Sequence, residues 1–69
     1  MSEETKKKVG QLIRDARKSK GLTQKELGEK LGVVGVTISD YETGRQNLTL
    51  DTLDKIAEAL GVKAKITFE

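Results

Sequence analysis

One stretch, TQKELGEKLGVVGVTISDYETG at residues 23–44, restricts the fold of this 69-residue chain more than any other. Thr23 followed by Glu26 is a capping box, and the flanking Leu22 and Leu27 occupy the two positions of a hydrophobic staple, so a helix starts at Gln24. Gly28 lies inside that helix, where glycine costs about 1 kcal/mol relative to alanine; its presence there implies close approach by another element. Gly32 then stops the helix. About two residues later a short third helix begins, carries Ile38 and Tyr41 inward, and closes at Gly44. Two helices joined by a tight glycine turn, both apolar toward one core, present the second helix outward.

The remaining segments read as helices built on the same core. Val9, Leu12, Ile13 and Ala16 recur at i, i+3, i+4 and i+7, which predicts a helix over about 4–19 with Gly21 beyond its end. Thr49 caps a further helix with Leu50, Leu53, Ile56, Ala57 and Leu60 on one face, closed by Gly61. A domain of this size buries only about 60% of its unfolded surface. With no cysteine and no histidine, neither a disulfide nor a Cys/His zinc site is available to reinforce it, which leaves self-association. No apolar run approaches the ~20 residues that cross a bilayer, and residues 1–8 are too polar for a signal peptide, so a cytoplasmic location without membrane contact is expected.

The tail changes period. In VKAKITFE, Val62, Ala64, Ile66 and Phe68 alternate with polar residues, the pattern of a half-buried strand. A strand cannot satisfy its own backbone, and nothing else in the chain alternates at period two. The tail therefore either frays or pairs with its copy in a second chain, and the regular alternation with an otherwise orphaned Phe68 favours a homodimer. The expected organisation is a helical domain over 1–61 and a dimerisation strand over 62–69.

Charge and residue types narrow the function. The net charge of +2 is too small to identify a polyanion partner by itself. Seven basic and three acidic residues in 1–20, against one basic and three acidic in 49–61, give either a sided surface or ordinary solvated helices. Without His or Cys, and with no paired carboxylates on a pocket-forming scaffold, acid–base or nucleophilic catalysis has no candidates. No enzyme activity and no cofactor are expected.

The segments LTQKELGEKLGV, TISDYETG and LDTLDKIAEALGV stand in an order that resembles the Cro/C1-type, or XRE-family, helix-turn-helix domain, over residues 22–62 and upstream through IRDARKSKG. The resemblance implies an all-α, lambda-repressor-like bundle of four or five helices that binds double-stranded DNA, commonly as a dimeric transcriptional repressor or an antitoxin. The tail LGVKAKITFE is similar to HipB-like antitoxins, whose C-terminal strands pair across the dimer, and this admits a protein partner such as a toxin.

Carried onto this chain, the resemblance places phosphate contacts at Thr23, Gln24, Ser39, Thr43, Arg45 and Asn47, and base reading at Val34, Gly35, Val36, Thr37 and Asp40. It assigns Arg17 and Glu42 to a structural ion pair. The reading positions depart from the family: Gly35 reads nothing, Val36 packs only on a thymine methyl, and Asp40 either accepts from cytosine N4 or repels phosphate. Val34 also replaces the usual Ser or Thr cap of the reading helix. The expected function is a DNA-binding transcription regulator with the helix at about 35–42 in the major groove of a pseudo-palindromic operator. The alternative is a protein-interaction module or antitoxin-like protein on the same fold, with weak or lost sequence-specific DNA binding.

Overall fold

Four helices follow one another through residues 2–65, the residues that the computed structural model describes: α1 Glu3–Ser19, α2 Gln24–Leu31, α3 Gly35–Thr43 and α4 Leu50–Leu60. Their starts are set by side-chain caps. Ser2 accepts from the Thr5 N–H at 3.1 Å, Thr23 from Glu26 at 3.0 Å and Thr49 from Thr52 at 3.0 Å. The Thr23 backbone N–H donates in return to Glu26 Oε1 at 2.9 Å, completing the capping box. That bond, aided by the Thr23 hydroxyl and by Lys30, holds the Glu26 carboxyl below its ordinary value. A carboxyl lowered on folding adds stability above its unfolded pKa and loses it as the pH falls through the folded one. α3 alone starts without a side-chain cap, because its N-cap is Val34.

The ends follow a common rule. Gly32, Gly44 and Gly61 take positive φ as the C-caps of α2, α3 and α4, and Gly21 does so one residue after the end cap of α1. At φ 74°, Gly32 reverses the chain without the strain a Cβ would bring, and the Val33 N–H returns to the Gly28 carbonyl at 2.9 Å.

Ile13, Leu27, Ile38, Ile56 and Leu60 form the core, with Val9, Ala16, Leu22, Leu31, Tyr41, Leu48, Leu53 and Ala59 packed around it. Leu12 and Leu50, expected on the inward faces, are both 68% exposed. For Leu12 the reason is the orientation of α1. Its inward line runs through Gly10, Ile13 and Arg17, all buried, and a residue next to Ile13 in sequence lies about 100° around the helix. For Leu50 the reason is the cap. Leu48 and Leu53, the two staple positions around Thr49, both reach the core, and Leu50, the first helical residue, is left outside.

Two glycines inside helices bring backbones together. A Cβ on Gly28 would lie 2.6 Å from the Val33 carbonyl oxygen and 3.2 Å from Val34 C, so the start of α3 passes directly against α2. At Gly10, which sequence reasoning passed over, a Cβ would lie 2.6 Å from the Tyr41 carbonyl oxygen and closer still to that of Glu42, so α1 rests on the last turn of α3. Residues 62–65 carry no regular element; the Val62 N–H bonds the Ala57 carbonyl at 3.0 Å, and the Val62 and Ala64 side chains are exposed. Ile66 and Phe68, on which the strand expectation chiefly rests, lie outside the described residues. No helix among the described residues is long and apolar enough to cross a membrane.

Gly10→Ala should lower stability even though alanine is the better helix former. Helix propensity returns about 1 kcal/mol, while a methyl forced onto two backbone carbonyls belongs at the upper end of overpacking costs, about 3 kcal/mol. The expected net loss of about 2 kcal/mol reads as a lower urea midpoint at unchanged slope; a midpoint equal to the parent's would mean the two helices separate freely at this point.

Candidate nucleic-acid interface

The outward surface of α3 is defined by what its inward surface must hold. Ile38 is fully buried and Glu42 nearly so, four residues apart on one face. The opposite line runs through Val36, Asp40 and Thr43 at i, i+4 and i+7, with Thr37 beside it. Val36 is 69% exposed, Thr43 is exposed, and Thr37 and Asp40 are half-buried. Val34, just ahead of the helix, is 68% exposed. The structure therefore gathers four of the five expected base-reading side chains on one solvent-facing surface. Gly35 has a different role: a Cβ there would stand 3.3 Å from both N and Cα of Lys25, so the starts of α2 and α3 abut.

Glu42 holds α3 to the rest of the molecule. Arg17 Nε donates to its Oε2 at 2.6 Å and Arg17 Nη2 to its Oε1 at 3.2 Å, a two-point fork, while Arg17 Nη1 donates to the Leu22 carbonyl at 2.7 Å. A fourth contact was not visible in the sequence. Gln24 Nε2 donates to Glu42 Oε1 at 3.1 Å, tying the first residue of α2 to the same carboxylate. No local signal announces a contact between residues 18 positions apart. The amide of Gln24 keeps a second N–H and its oxygen for another partner, which leaves chemistry for the phosphate role expected of it.

The other expected phosphate-contacting residues surround this frame. Thr23 is exposed and its oxygen accepts within the cap, leaving its hydroxyl hydrogen to donate. Ser39 is half-buried. The Thr43 hydroxyl donates back to the Ser39 carbonyl at 2.9 Å, so an outside acceptor would have to compete with that bond. Arg45 and Asn47 are exposed beyond the end of α3, and Arg45 makes no ion pair among the described residues. The uncapped α3 N-terminus adds free backbone N–H groups beside the start of α2. This is a surface of one guanidinium, amides, N–H groups and hydroxyls around two exposed valines.

A family profile described as helix-turn-helix matches residues 13–65. An uncharacterised HTH-type transcriptional regulator of Methanothermobacter thermautotrophicus is 50% identical over 50 residues, which are 72% of each chain. Endothelial differentiation-related factor 1 of Homo sapiens is 44% identical over 57 residues, and multiprotein-bridging factor 1 of Candida albicans is 46% identical over the same length. Those matches take in 83% of this chain and 38% of either relative. The chain thus spans well under half the length of these two.

Because the Arg17–Glu42 pair is enclosed, its two halves should not be separable. Arg17→Ala leaves a buried carboxylate with only Gln24 and should cost about 3–5 kcal/mol, much of the ~5–15 kcal/mol that holds a domain together. Arg17→Met combined with Glu42→Leu should recover most of that loss, because an apolar pair needs no compensating charge. Urea midpoints of the single and double variants check this, and strictly additive losses would contradict it.

Proposed function

The chain belongs to the helix-turn-helix family, of the Cro/C1 type, and from that membership we propose that it is a DNA-binding transcription regulator that reads the major groove with α3. The observation that carries the reading is the outward line Val36–Asp40–Thr43, held rigidly from behind by the Arg17–Glu42 fork. Phosphate contacts fall to Thr23, Gln24, Ser39, Thr43, Arg45 and Asn47, with the uncapped N-terminus of α3 beside them. Base reading falls to Val34, Val36 and Thr37, with Asp40 on the same outward face, while Gly35 brings the two helix starts together.

With two exposed valines in place of amides or guanidinium groups, few hydrogen bonds to base edges are available. Discrimination then rests on thymine methyl groups, on Thr37 and on groove shape. Affinity rests mainly on phosphates. The protein acts as a homodimer through residues 62–69, with Val62, Ala64, Ile66 and Phe68 on the paired face, and represses by occupying a pseudo-palindromic operator whose half-sites lie about 10 base pairs apart.

A second reading has its own observation. Val33, Val34 and Val36 form an exposed apolar edge at the turn into α3, and one relative carries the name multiprotein-bridging factor. On that reading the same edge docks a protein partner, a toxin among the candidates. Salt separates the two: phosphate binding weakens linearly in log salt, whereas an apolar contact hardly responds.

Selection of duplexes from a random library, followed by binding measured across a salt series, tests the main reading. A two-fold symmetric site and a steep salt slope are expected; half-site footprints with one protomer per duplex would remove the dimer, and salt-independent binding would remove the phosphate contacts.

Asp40 offers a sharper measurement. Half-buried on the reading line, Asp40 makes no ion pair among the described residues that would hold its carboxylate toward a base. Asp40→Ala should therefore tighten binding to matched and random duplexes alike, by removing a negative charge near phosphates. A loss of about 1–3 kcal/mol confined to the preferred site would instead assign it to cytosine N4.

A further inference from the structure

The phosphate contacts proposed above come from the start of α2, from α3 and from the residues after it, and none from α1. Yet α1 runs directly over the last turn of α3, because Gly10 lets the two backbones meet at Tyr41 and Glu42. Just upstream, Lys6 and Lys7 lie against Gly44, the C-cap of α3. A Cβ on Gly44 would stand 3.4 Å from Lys6 Cβ, from Lys7 Cγ and from the Lys7 backbone nitrogen. Arg45, the next residue, is exposed, and so is Lys7. The Lys7 ammonium and the Arg45 guanidinium thus extend from adjoining stretches of backbone at the C-terminal end of the reading line.

Their neighbours are already engaged. The Lys6 ammonium lies 3.7 Å from Glu3 and that of Lys8 3.7 Å from Glu4, whereas Lys7 and Arg45 make no ion pair among the described residues. The end of α3 does not need them either. The Tyr41 carbonyl accepts from the Gly44 N–H, and the Asp40 carbonyl accepts from the Arg45 N–H at 2.9 Å.

Distance along α3 supplies the remaining step. Its nine residues, at about 1.5 Å each, span about 13 Å, close to the ~12 Å width of the major groove. Thr23 and Gln24 stand at one end of this span, where Gly35 meets the start of α2. Lys7 and Arg45 stand at the other. A helix seated in the groove with its ends at opposite walls brings each group to a different strand.

We propose that Lys7 of α1 joins Arg45 in gripping a backbone phosphodiester of duplex DNA, on the strand opposite the one met by the start of α2. The inference rests on the DNA-binding reading above and adds a contact from α1. Lys7→Gln should reduce the slope of log affinity against log salt by about 0.9, one phosphate's share, and weaken matched and random duplexes by the same factor. Its melting temperature should equal the parent's, and Lys7→Arg should restore the slope. Lys55→Gln on α4, whose ammonium lies 3.5 Å from Asp51, should leave the slope at the parent value.

A parental slope in Lys7→Gln overturns the contact and leaves the DNA-binding reading standing. A loss confined to one sequence overturns it too, and so does a melting-temperature rise in inorganic phosphate without DNA that Lys7→Gln abolishes, since that marks a site for free anions. A parent protein that binds no duplex in a salt-dependent way overturns both the contact and the reading beneath it.

Discussion

The buried pair between Arg17 and Glu42 is the constraint on which the arrangement of this molecule depends. Through one guanidinium and one carboxylate it joins α1 to α3, anchors the loop after α1 at the Leu22 carbonyl, and collects the Gln24 amide at the start of α2. Desolvating two charges is expensive, and such a pair breaks even only when the remaining donors and acceptors are matched. Here they are: no buried side-chain nitrogen or oxygen among the described residues lacks a partner. What the pair supplies beyond stability is direction. An apolar contact tolerates rotation, whereas a two-point fork between planar groups does not, so the side of α3 that faces outward is set by the carboxylate on its inward side.

Small size explains the glycines. With only Ile13, Leu27, Ile38, Ile56 and Leu60 at its centre, the domain has little apolar area to spend on separating its helices. Gly10, Gly28 and Gly35 remove the side chain where backbones cross, so α1 touches the end of α3 and α2 touches its beginning. Both ends of α3 are consequently clamped at close range, while its outward face, with Val36 and Thr43, stays open to solvent. A short helix with an uncapped start would fray if held only by its own hydrogen bonds; this one is held at each end by another helix.

The chemistry of the exposed surface divides along the same geometry. Polar groups flank α3 at both ends, with Arg45 beyond its last turn, and two exposed valines, Val34 and Val36, stand at its start. The walls of a DNA groove are charged in every sequence, and methyl groups are present in only some. On the DNA-binding reading proposed above, the flanking polar groups contribute affinity without regard to sequence, while the few outward side chains of α3 carry the discrimination.

Helix starts and stops were legible from residues alone because each is decided within one turn of chain. Thr23 with Glu26, Thr49, and the four turn glycines act on atoms three or four residues away. Gly28 was legible as a close approach because a glycine inside a helix is anomalous where it stands, and the pairing of Arg17 with Glu42 came from likeness to a family rather than from spacing. Other features had no such local mark. Leu12 matched the apolar period of α1 and yet faces water; Leu48 displaced Leu50 from the core; Gln24 turned toward Glu42; Lys7 came to rest beside Gly44. The tail belongs with neither group, since its alternation over 62–68 is a matter of sequence and residues 66–69 lie outside the described ones. Local hydrogen bonding settles where a helix begins and ends. Its rotation about its own axis is settled by contacts with residues far away in the chain, and here a carboxylate 25 positions from its arginine decided which side chains of α3 were left facing outward.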